Sequence, residues 1–250
     1  MTVSQGDKAV RFRALHEAPG AFVIPNPWDA GSARILAALG FQALAHSRAI
    51  VDATDLPVAA DLEKGFGDAP SAAAETIRLA ASVGLVGGSI EDATGDKQKP
   101  LFDIATATER VAAAVAAARA LSFPFTLTAR TENFLRGNPD LADTIKRLQA
   151  FEKAGADVLM APGLPDLAAV RAVCAAVKKP VNFMVGIKGK SFTAAELTAA
   201  GVKRISLATS LYRTAMSGLI DAAREVKAAG TFGYVDRGVT SAELAGFMEG

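Results

Sequence analysis

Eight short apolar runs recur along the chain, and each is followed by a segment in which the chain can reverse direction. Helix-like stretches rich in Ala, Leu, Arg and Glu lie between most of these runs. Alternating strands and helices predict a parallel sheet, and eight repeats in 250 residues predict a closed (β/α)8 barrel. Such barrels carry their chemistry at the C-terminal ends of the strands, so candidate site residues are sought there. The predicted strands are 21–25, 41–45, 57–61, 85–91, 125–130, 157–162, 181–185 and 204–209.

A single domain is expected, because no low-complexity linker and no second apolar core interrupts the repeat. We assign residues 1–250 to one (β/α)8 TIM barrel, with an N-terminal helix within 1–20 and a tail helix within 231–250. The leading helix, 4–18, can close the bottom of the barrel. Ser71 is the predicted N-cap of a helix. The other predicted helices span 30–40, 71–84, 106–121, 139–155, 165–177, 193–201 and 211–230.

The second βα unit is unusually short. Between the runs at 41–45 and 57–61, only AHSRAIVDATDL is available for a loop and a helix. A crossover between parallel strands needs at least ~10–12 residues, so the unit can close but has no room for a functional loop. We therefore expect the second strand to contribute little to a site.

Charge and composition exclude several classes of partner. The net charge of +1 does not favour nucleic acid or an anionic membrane surface. The apolar runs are short and interrupted, so no membrane span is expected, and residues 1–20 lack the apolar core of a signal peptide. The single cysteine, Cys174, fits a reducing compartment, and we expect a cytoplasmic location.

Three carboxylates stand at the ends of neighbouring predicted strands. VAADLEKGFG places Asp61 and Glu63 two residues apart, so strand periodicity predicts that both face the barrel mouth. GGSIED places Glu91 at the same level on the next strand, and carboxylates this close favour a bound cation. Oxygen ligands indicate Mg²⁺ or Mn²⁺, while His16 and His46 lie in segments that cannot complete a zinc site here. The alternative is that Asp61 and Glu63 are strand-end caps or surface ion pairs.

Arg130 ends the fifth apolar run, FTLTAR, and is followed by Thr131 and Glu132. An arginine at a barrel mouth can hold a substrate carboxylate through two parallel hydrogen bonds. The alternative is a structural salt bridge to Glu132 or Glu91. Arg130 and Glu132 are therefore candidate substrate-binding residues, with Arg130 and Glu91 as candidate catalytic residues.

Three further candidates lie near strand ends. Asp29 follows the first strand and either orients the water shell of the metal, as a catalytic residue, or caps the next helix. Trp28 either forms a wall of the pocket or packs against the core. Asn182, near the seventh strand, can present an inward amide to a ligand. The segment GVKRISLATS lacks the Gly-rich turn of a phosphate-binding barrel, which disfavours phosphosugar chemistry.

Seven motifs keep one order along the chain: PNPWDAGSARILAALGF, ADLEKGFGDAP, GGSIEDATGD, FTLTARTENFLRG, GADVLMAPGLPD, KPVN and GVKRISLATSLYR. Together they resemble the isocitrate lyase/phosphoenolpyruvate mutase superfamily, in a branch without an assigned substrate. The resemblance implies Mg²⁺ bound through Asp61, Glu63 and Glu91, with a 2-oxo acid or its enolate on the metal and Arg130 on its carboxylate. It also implies homodimers or homotetramers, in which subunits often exchange the last helix.

Two departures from this family pattern bear on activity. Isocitrate and methylisocitrate lyases carry a catalytic cysteine after the acidic strand, whereas this chain reads ATGDKQKPLFD there. Those two activities are therefore not expected. Relatives also follow the second strand with a Ser/Gly-rich turn and an Asp-bearing loop that this chain lacks, so its activity is either altered or impaired.

The leading hypothesis is a Mg²⁺-dependent lyase or decarboxylase-type enzyme that acts on a small 2-oxo or 2-hydroxy (di)carboxylate through an enolate. One alternative is a catalytically impaired barrel that serves as an oligomeric binding or scaffold protein, motivated by the short second unit. A class II-type aldolase shares the metal and enolate chemistry but needs a larger acceptor pocket.

Overall fold

The computed structural model describes residues 3–45 and 48–248, and its core is one sheet of parallel strands. The eight strands follow the order β1-β8-β7-β6-β5-β4-β3-β2 and form a nearly closed barrel with flanking helices. Every strand lies within a predicted apolar run, so the (β/α)8 fold is confirmed. The strands are β1 Phe22–Ile24, β2 Leu44–Ala45, β3 Val58–Asp61, β4 Gly87–Glu91, β5 Thr126–Arg130, β6 Val158–Met160, β7 Val181–Met184 and β8 Arg204–Ser206.

Each predicted helix is present with its ends within two residues of the predicted ones, but one predicted cap is wrong. The predicted N-cap Ser71 is wrong, because α4 is capped by Ala69 and Pro70 occupies its first turn. Proline suits this position since its fixed φ is already helical and its missing N–H has no helical partner there. The helices are α1 Gln5–Glu17, α2 Ala30–Ala38, α3 Arg48–Val51, α4 Pro70–Ser82, α5 Ile104–Arg119, α6 Leu141–Lys153, α7 Leu167–Ala176, α8 Ala194–Ala199, α9 Ser210–Ala229 and α10 Ser241–Gly246.

Helix α1 closes the bottom of the barrel, as its position before the first strand suggested. Phe12 and His16 on this helix are buried, and the His16 ring packs edge-on against both Phe12 and Phe22 at 4.9 Å. A Cβ added at Gly87 would lie 2.8 Å from the Phe12 ring, so the glycine permits this close approach. The lower end of the barrel interior is therefore sealed by aromatic packing.

The weakest join in the barrel lies between β1 and β2. Among the described residues, the Ala45 N–H donates one backbone hydrogen bond of 2.9 Å across this seam, to the carbonyl oxygen of Pro25. The crossover from β2 to β3 contains α3, which has four residues, so the short second unit is present. Strand β2 contributes the methyl group of Ala45 to the barrel cavity.

Apolar packing between the sheet and the helices determines which side chains face inward. Ile90 on β4 and Leu127 on β5 belong to a buried cluster on the outer side of the sheet. Since successive strand residues alternate in direction, Glu91 and Thr128 must point the other way, into the barrel. The fold thus places polar side chains inside. None of the helices in the described part of the chain is long and apolar enough to cross a membrane.

Candidate functional site at the barrel mouth

The polar residues of β3, β4 and β5 converge at the C-terminal edge of the sheet. The register pairs Asp61 with Ser89 and Glu91 with Arg130. Adjacent parallel strands lie ~4.8 Å apart, so side chains at paired positions on one face can touch. The sequence therefore predicted correctly that Asp61, Glu91 and Arg130 occupy one region.

Arg130 is the centre of this region and contacts three carboxylates. Its Nη1 lies 2.9 Å from Oδ2 of Asp61, and its Nε lies 2.5 Å from Oε1 of Glu132 and 3.5 Å from Oε2 of Glu91. The salt-bridge alternative for Arg130 is thus realised in the structure. Its side chain is 10% exposed, so these contacts form largely out of water. The Nη2 group donates to no described residue, although Arg130 lines the barrel cavity.

The carboxylates at the mouth outnumber the guanidinium groups. Arg136 lies 3.2 Å from Glu132 and 3.4 Å from Glu91, so two arginines face three acids, Asp61 included. Burial raises the pKa of Glu91 to about 7, and the charges of Glu132 and Asp61 add to this rise. The two arginines act in the opposite direction but do not cancel it. With all three carboxylates ionised, the mouth would carry one more negative than positive charge, and the raised pKa of Glu91 opposes that excess.

Asp61 and Glu63 do not share a strand face as predicted. Strand β3 ends at Asp61, and Glu63 has φ of 49° in the following turn, so strand periodicity does not apply to it. The Oδ1 of Asp61 accepts hydrogen bonds from the backbone N–H of Glu63 and from the hydroxyl of Ser89, both 3.1 Å long. Asp61 is thus also a strand-end cap, which was the alternative interpretation.

The donor set has the chemistry of a hard-cation site but is not pre-arranged as one. Asp61, Glu63 and Glu91 offer carboxylate oxygens, which Mg²⁺ and Mn²⁺ prefer, and the local negative excess favours a cation. In residues 3–45 and 48–248, however, no group of three or more His, Cys, Asp or Glu side chains is placed to hold an ion. The guanidinium of Arg130 contacts both Asp61 and Glu91 instead.

Below the mouth, the barrel encloses a cavity of about 80 Å³. This volume is enough for a handful of water molecules or for one small carboxylate, because one water needs roughly 10–15 Å³ on this scale. The predicted residue Asn182 is buried and lines the cavity. The amide oxygen of Asn26, also on the cavity wall, is buried without a partner among the described residues.

A wider cleft of about 510 Å³ adjoins this cavity and reaches Asp61. The predicted residue Trp28 forms one wall and packs against Tyr212, with ring centroids 5.8 Å apart. Trp28 is therefore a wall residue of the open part of the site. Asp29 beside it caps α2, since its carboxylate accepts the Ser32 N–H at 2.7 Å and the Ser32 hydroxyl completes a capping box. Its catalytic role stays a prediction.

Two buried side chains fix the loops that carry the site. Asp92 accepts the Glu132 N–H and the Thr131 hydroxyl, each at 2.8 Å, and so holds the turn after β5. Arg110 donates to the carbonyl oxygens of Lys64 and Asp68 and holds the loop after β3. These contacts restrict the positions of Glu132 and of the chain that follows Asp61.

Several cavity residues were not identified from the sequence. Strand periodicity counted back from Glu91 and Arg130 would have indicated Ser89 and Thr128. No comparable signal marked Arg204, because an arginine at the start of an apolar run resembles a surface residue. His16 lies at the barrel bottom, away from the carboxylates, and His46 is outside the described residues. The missed residues on the cavity wall are Asn26, Ser89, Thr128, Arg204 and Ser206.

Comparison with known proteins gives one family. The family model described as phosphoenolpyruvate phosphomutase matches residues 12–49 and 43–227, which is most of the chain. The structure resembles a putative lyase/mutase from Burkholderia cenocepacia J2315, with 49% identity, a TM-score of 0.96, and coverage of 98% of this chain and 97% of the other.

Two further proteins extend this comparison. The 2-methylisocitrate lyase of Escherichia coli (strain K12) is 32% identical over 66% of this chain and 57% of its own length. A phosphonopyruvate hydrolase solved in complex with oxalate and Mg²⁺ has a TM-score of 0.84, 20% identity, and coverage of 97% of this chain and 94% of its own. At that identity the likeness concerns the fold alone.

Proposed function

The chain belongs to the phosphoenolpyruvate phosphomutase family of the isocitrate lyase/phosphoenolpyruvate mutase superfamily, and we propose that it is a Mg²⁺-dependent carbon–carbon lyase or decarboxylase-type enzyme. Its substrate is a small 2-oxo or 2-hydroxy dicarboxylate that reacts through a pyruvate-like enolate. One observation carries the proposal: Arg130 stands among three carboxylates at the C-terminal ends of the strands, above a cavity sized for such a molecule.

Arg130 binds the substrate carboxylate in this proposal. Its Nε and Nη1 are held by Glu132 and Asp61, and its Nη2 donates to no described residue. The two acids therefore fix the plane of the guanidinium while Nη2 remains available to an anion in the cavity. Glu132 is 1% exposed, so its role is to orient Arg130.

Mg²⁺, or Mn²⁺ in its place, is the proposed cofactor. Asp61 would be its nearest ligand, with Glu63 and Glu91 acting largely through water. The cation is supported by the three carboxylates that share the mouth with two arginines, because a divalent ion reduces the repulsion between like charges. When bound, the ion supplies Lewis-acid stabilisation of negative charge on the 2-oxo oxygen of the substrate.

The test is pyruvate release from oxaloacetate and from substituted malates in the presence of Mg²⁺. With oxaloacetate, the bond between C3 and the C4 carboxylate breaks, CO₂ leaves, and the bonding electron pair forms the enolate, which takes a proton to give pyruvate. Asp61→Ala should abolish the reaction. Asp68→Ala, an exposed acid in the same loop, should not. Absence of turnover across the whole panel, with metal supplied, would contradict the proposal.

A second candidate function, an oligomeric binding or scaffold protein, is favoured by the short second unit. The β2–β3 crossover contains four helical residues, and a single described backbone hydrogen bond joins β1 to β2. Oxalate resembles the enolate of pyruvate, so calorimetry separates the two candidates. Mg²⁺-dependent oxalate binding supports the enzyme, whereas a folded protein that binds no oxalate supports the scaffold.

A homodimer or homotetramer is the proposed assembly. Helix α9 spans Ser210–Ala229 and buries none of its residues within the chain. It exposes Leu219 and Ile220, which are 60% and 46% accessible to solvent, and such an apolar face is costly to leave in water. Light scattering should give two or four chains, and Leu219→Asp should lower that number. A monomeric wild type would contradict this assembly.

A further inference from the structure

Arg204 on β8 is a buried arginine with no acidic partner in the part of the chain that the structure describes. The residue is 6% exposed and points into the barrel. Its Nε donates to Oδ1 of Asn182 at 2.8 Å and its Nη2 donates to the Thr128 hydroxyl at 2.9 Å. Its Nη1 lies 3.4 Å from Nε2 of His16. No Asp or Glu of the described residues lies within ion-pairing distance of the Arg204 guanidinium.

The charge of Arg204 is therefore present but not balanced by a carboxylate of residues 3–45 or 48–248. Burial lowers its pKa to about 10, which still leaves the guanidinium protonated at neutral pH. His16 cannot share the charge, because burial and the nearby arginine lower its pKa to about 3. A buried charge with neutral partners is costly, and an anion that reaches the same interior restores part of the lost stabilisation.

Arg204 lies where its charge can act on a ligand in the barrel. Arg204, Asn182 and Thr128 line the same cavity as Arg130. We propose that Arg204 is a binding residue of the barrel floor that selects dianionic over monoanionic ligands, because it supplies a fixed positive charge opposite the mouth. This inference rests on the proposed function, and it names the charge of the ligand that the cavity takes.

Arg204 also fixes the orientation of the Asn182 amide. Arg204 engages Oδ1 of Asn182, so the amide must present Nδ2 on its other side, where it lies 3.0 Å from the Ser206 hydroxyl. Asn182 and Ser206 both line the cavity. The guanidinium therefore fixes one amide N–H and one hydroxyl on the cavity wall, where both can contact an anion.

Oxalate and oxamate test the proposal, because oxamate replaces one carboxylate of oxalate by a neutral amide of similar shape. Calorimetry with excess Mg²⁺ gives both affinities for the wild type, Arg204→Met and Arg204→Lys. We expect Arg204→Met to reduce the preference for oxalate over oxamate by ~10-fold or more. Arg204→Lys keeps the charge and should keep most of the preference. A purely structural role would weaken both ligands equally.

The outcomes separate this inference from the proposed function. If the wild type binds neither ligand, the proposed function fails. If the wild type binds oxalate and Arg204→Met keeps the same preference, the proposed function stands and the role of Arg204 is wrong.

A second pair of variants applies even if Arg204→Met does not fold. Asn182→Asp is nearly isosteric and gives Arg204 an internal counter-charge, whereas Asn182→Ser also removes the amide but leaves the charge unbalanced. We expect Asn182→Asp to be at least as thermally stable as the wild type and to bind oxalate ~10-fold more weakly than Asn182→Ser. Equal oxalate binding by the two variants would overturn the proposal.

Discussion

Two buried arginines lie in one barrel with opposite surroundings. Arg130 at the mouth contacts three carboxylates, whereas Arg204 at the floor contacts an amide, a hydroxyl and a neutral histidine. Both side chains have little exposure to water, so the difference lies in their partners. Among the described residues, acids outnumber arginines at the mouth, and the arginine at the floor has no acidic partner.

Because of this difference, the two ends of one small cavity favour ligands of opposite charge. A cation is favoured where the carboxylates are in excess, and an anion is favoured where the guanidinium lacks a counter-charge. A dicarboxylate that bridges a metal at the mouth and Arg204 at the floor would satisfy both regions. The charge at the floor is held on a strand and needs no rearrangement, whereas at the mouth Arg130 must release Asp61 and Glu91 before they can share an ion.

The largest effect should follow the removal of Arg130, the arginine whose charge is balanced by carboxylates. Arg130→Met leaves Glu91 and Glu132 buried beside each other, with Arg136 as their remaining described counter-charge. Breaking a buried ion pair from one side costs about 3–5 kcal/mol, and we expect a loss of this size in the free energy of unfolding, measured in urea at pH 8. The loss should shrink at pH 5, which lies below the raised pKa of Glu91, because the protonated Glu91 needs no counter-charge.

Arg136→Met is the matched control for this experiment. Its side chain is 44% exposed and contacts the same two glutamates, so its removal should cost below about 1 kcal/mol. If both variants lost the same stability, the burial of Arg130 would not distinguish it from a surface partner, and the contrast between mouth and floor would lose its basis.

The next largest effect is the pH dependence of the free energy of unfolding that His16, at the barrel floor, causes. The folded-state pKa of His16 is lowered from 6.5 to about 3 by burial and by Arg204, so the unfolded chain binds a proton that the folded chain refuses. Stability from this residue is complete above pH 6.5 and falls as the pH drops towards 3. At pH 5 the loss should be about 2 kcal/mol.

His16→Gln isolates this contribution, because the amide does not titrate. The difference in urea stability between pH 7.5 and pH 5 should be about 2 kcal/mol smaller in the variant than in the wild type. Asn182→Asp should also reduce it, since a carboxylate beside Arg204 offsets the charge that opposes protonation of His16. Identical pH dependence in all three proteins would show that His16 is not held neutral.

The sequence predicted the architecture and the mouth better than the floor. The apolar runs located every strand, because outward residues such as Ile90 and Leu127 must pack against helices and their alternation fixes the inward positions. Asp61, Glu91 and Arg130 then followed from strand-end position alone. Backbone geometry was not predictable in this way: the positive φ of Glu63 removes it from the strand pattern.

Arg204 shows why the floor could not be predicted. An arginine that precedes an apolar run normally lies at the surface, and nothing in RISLAT indicates that it is buried. Its environment depends on Asn182, Thr128 and His16, which come from distant parts of the chain and meet only in the closed barrel. The pattern within one strand identifies a face, whereas charge balance depends on several strands together.

The smallest effect compares one hydrogen bond in each region. Ser89→Ala removes a hydroxyl that donates to Asp61, whose side chain is 53% exposed, so water can replace the donor and the cost should be about 0.5 kcal/mol. Thr128→Val removes a hydroxyl that accepts from the buried guanidinium of Arg204, and because hydrogen bonds to charged groups are the stronger ones, the cost should be about 1.5 kcal/mol. Urea unfolding of both variants measures the difference.

Added oxalate should then stabilise Thr128→Val less than the wild type, because the guanidinium of Arg204 is no longer held in place in the cavity. If Ser89→Ala proved the more costly change, the hydrogen bond at the mouth would be stronger than the one to the buried guanidinium, and the contrast between the two regions would be wrong.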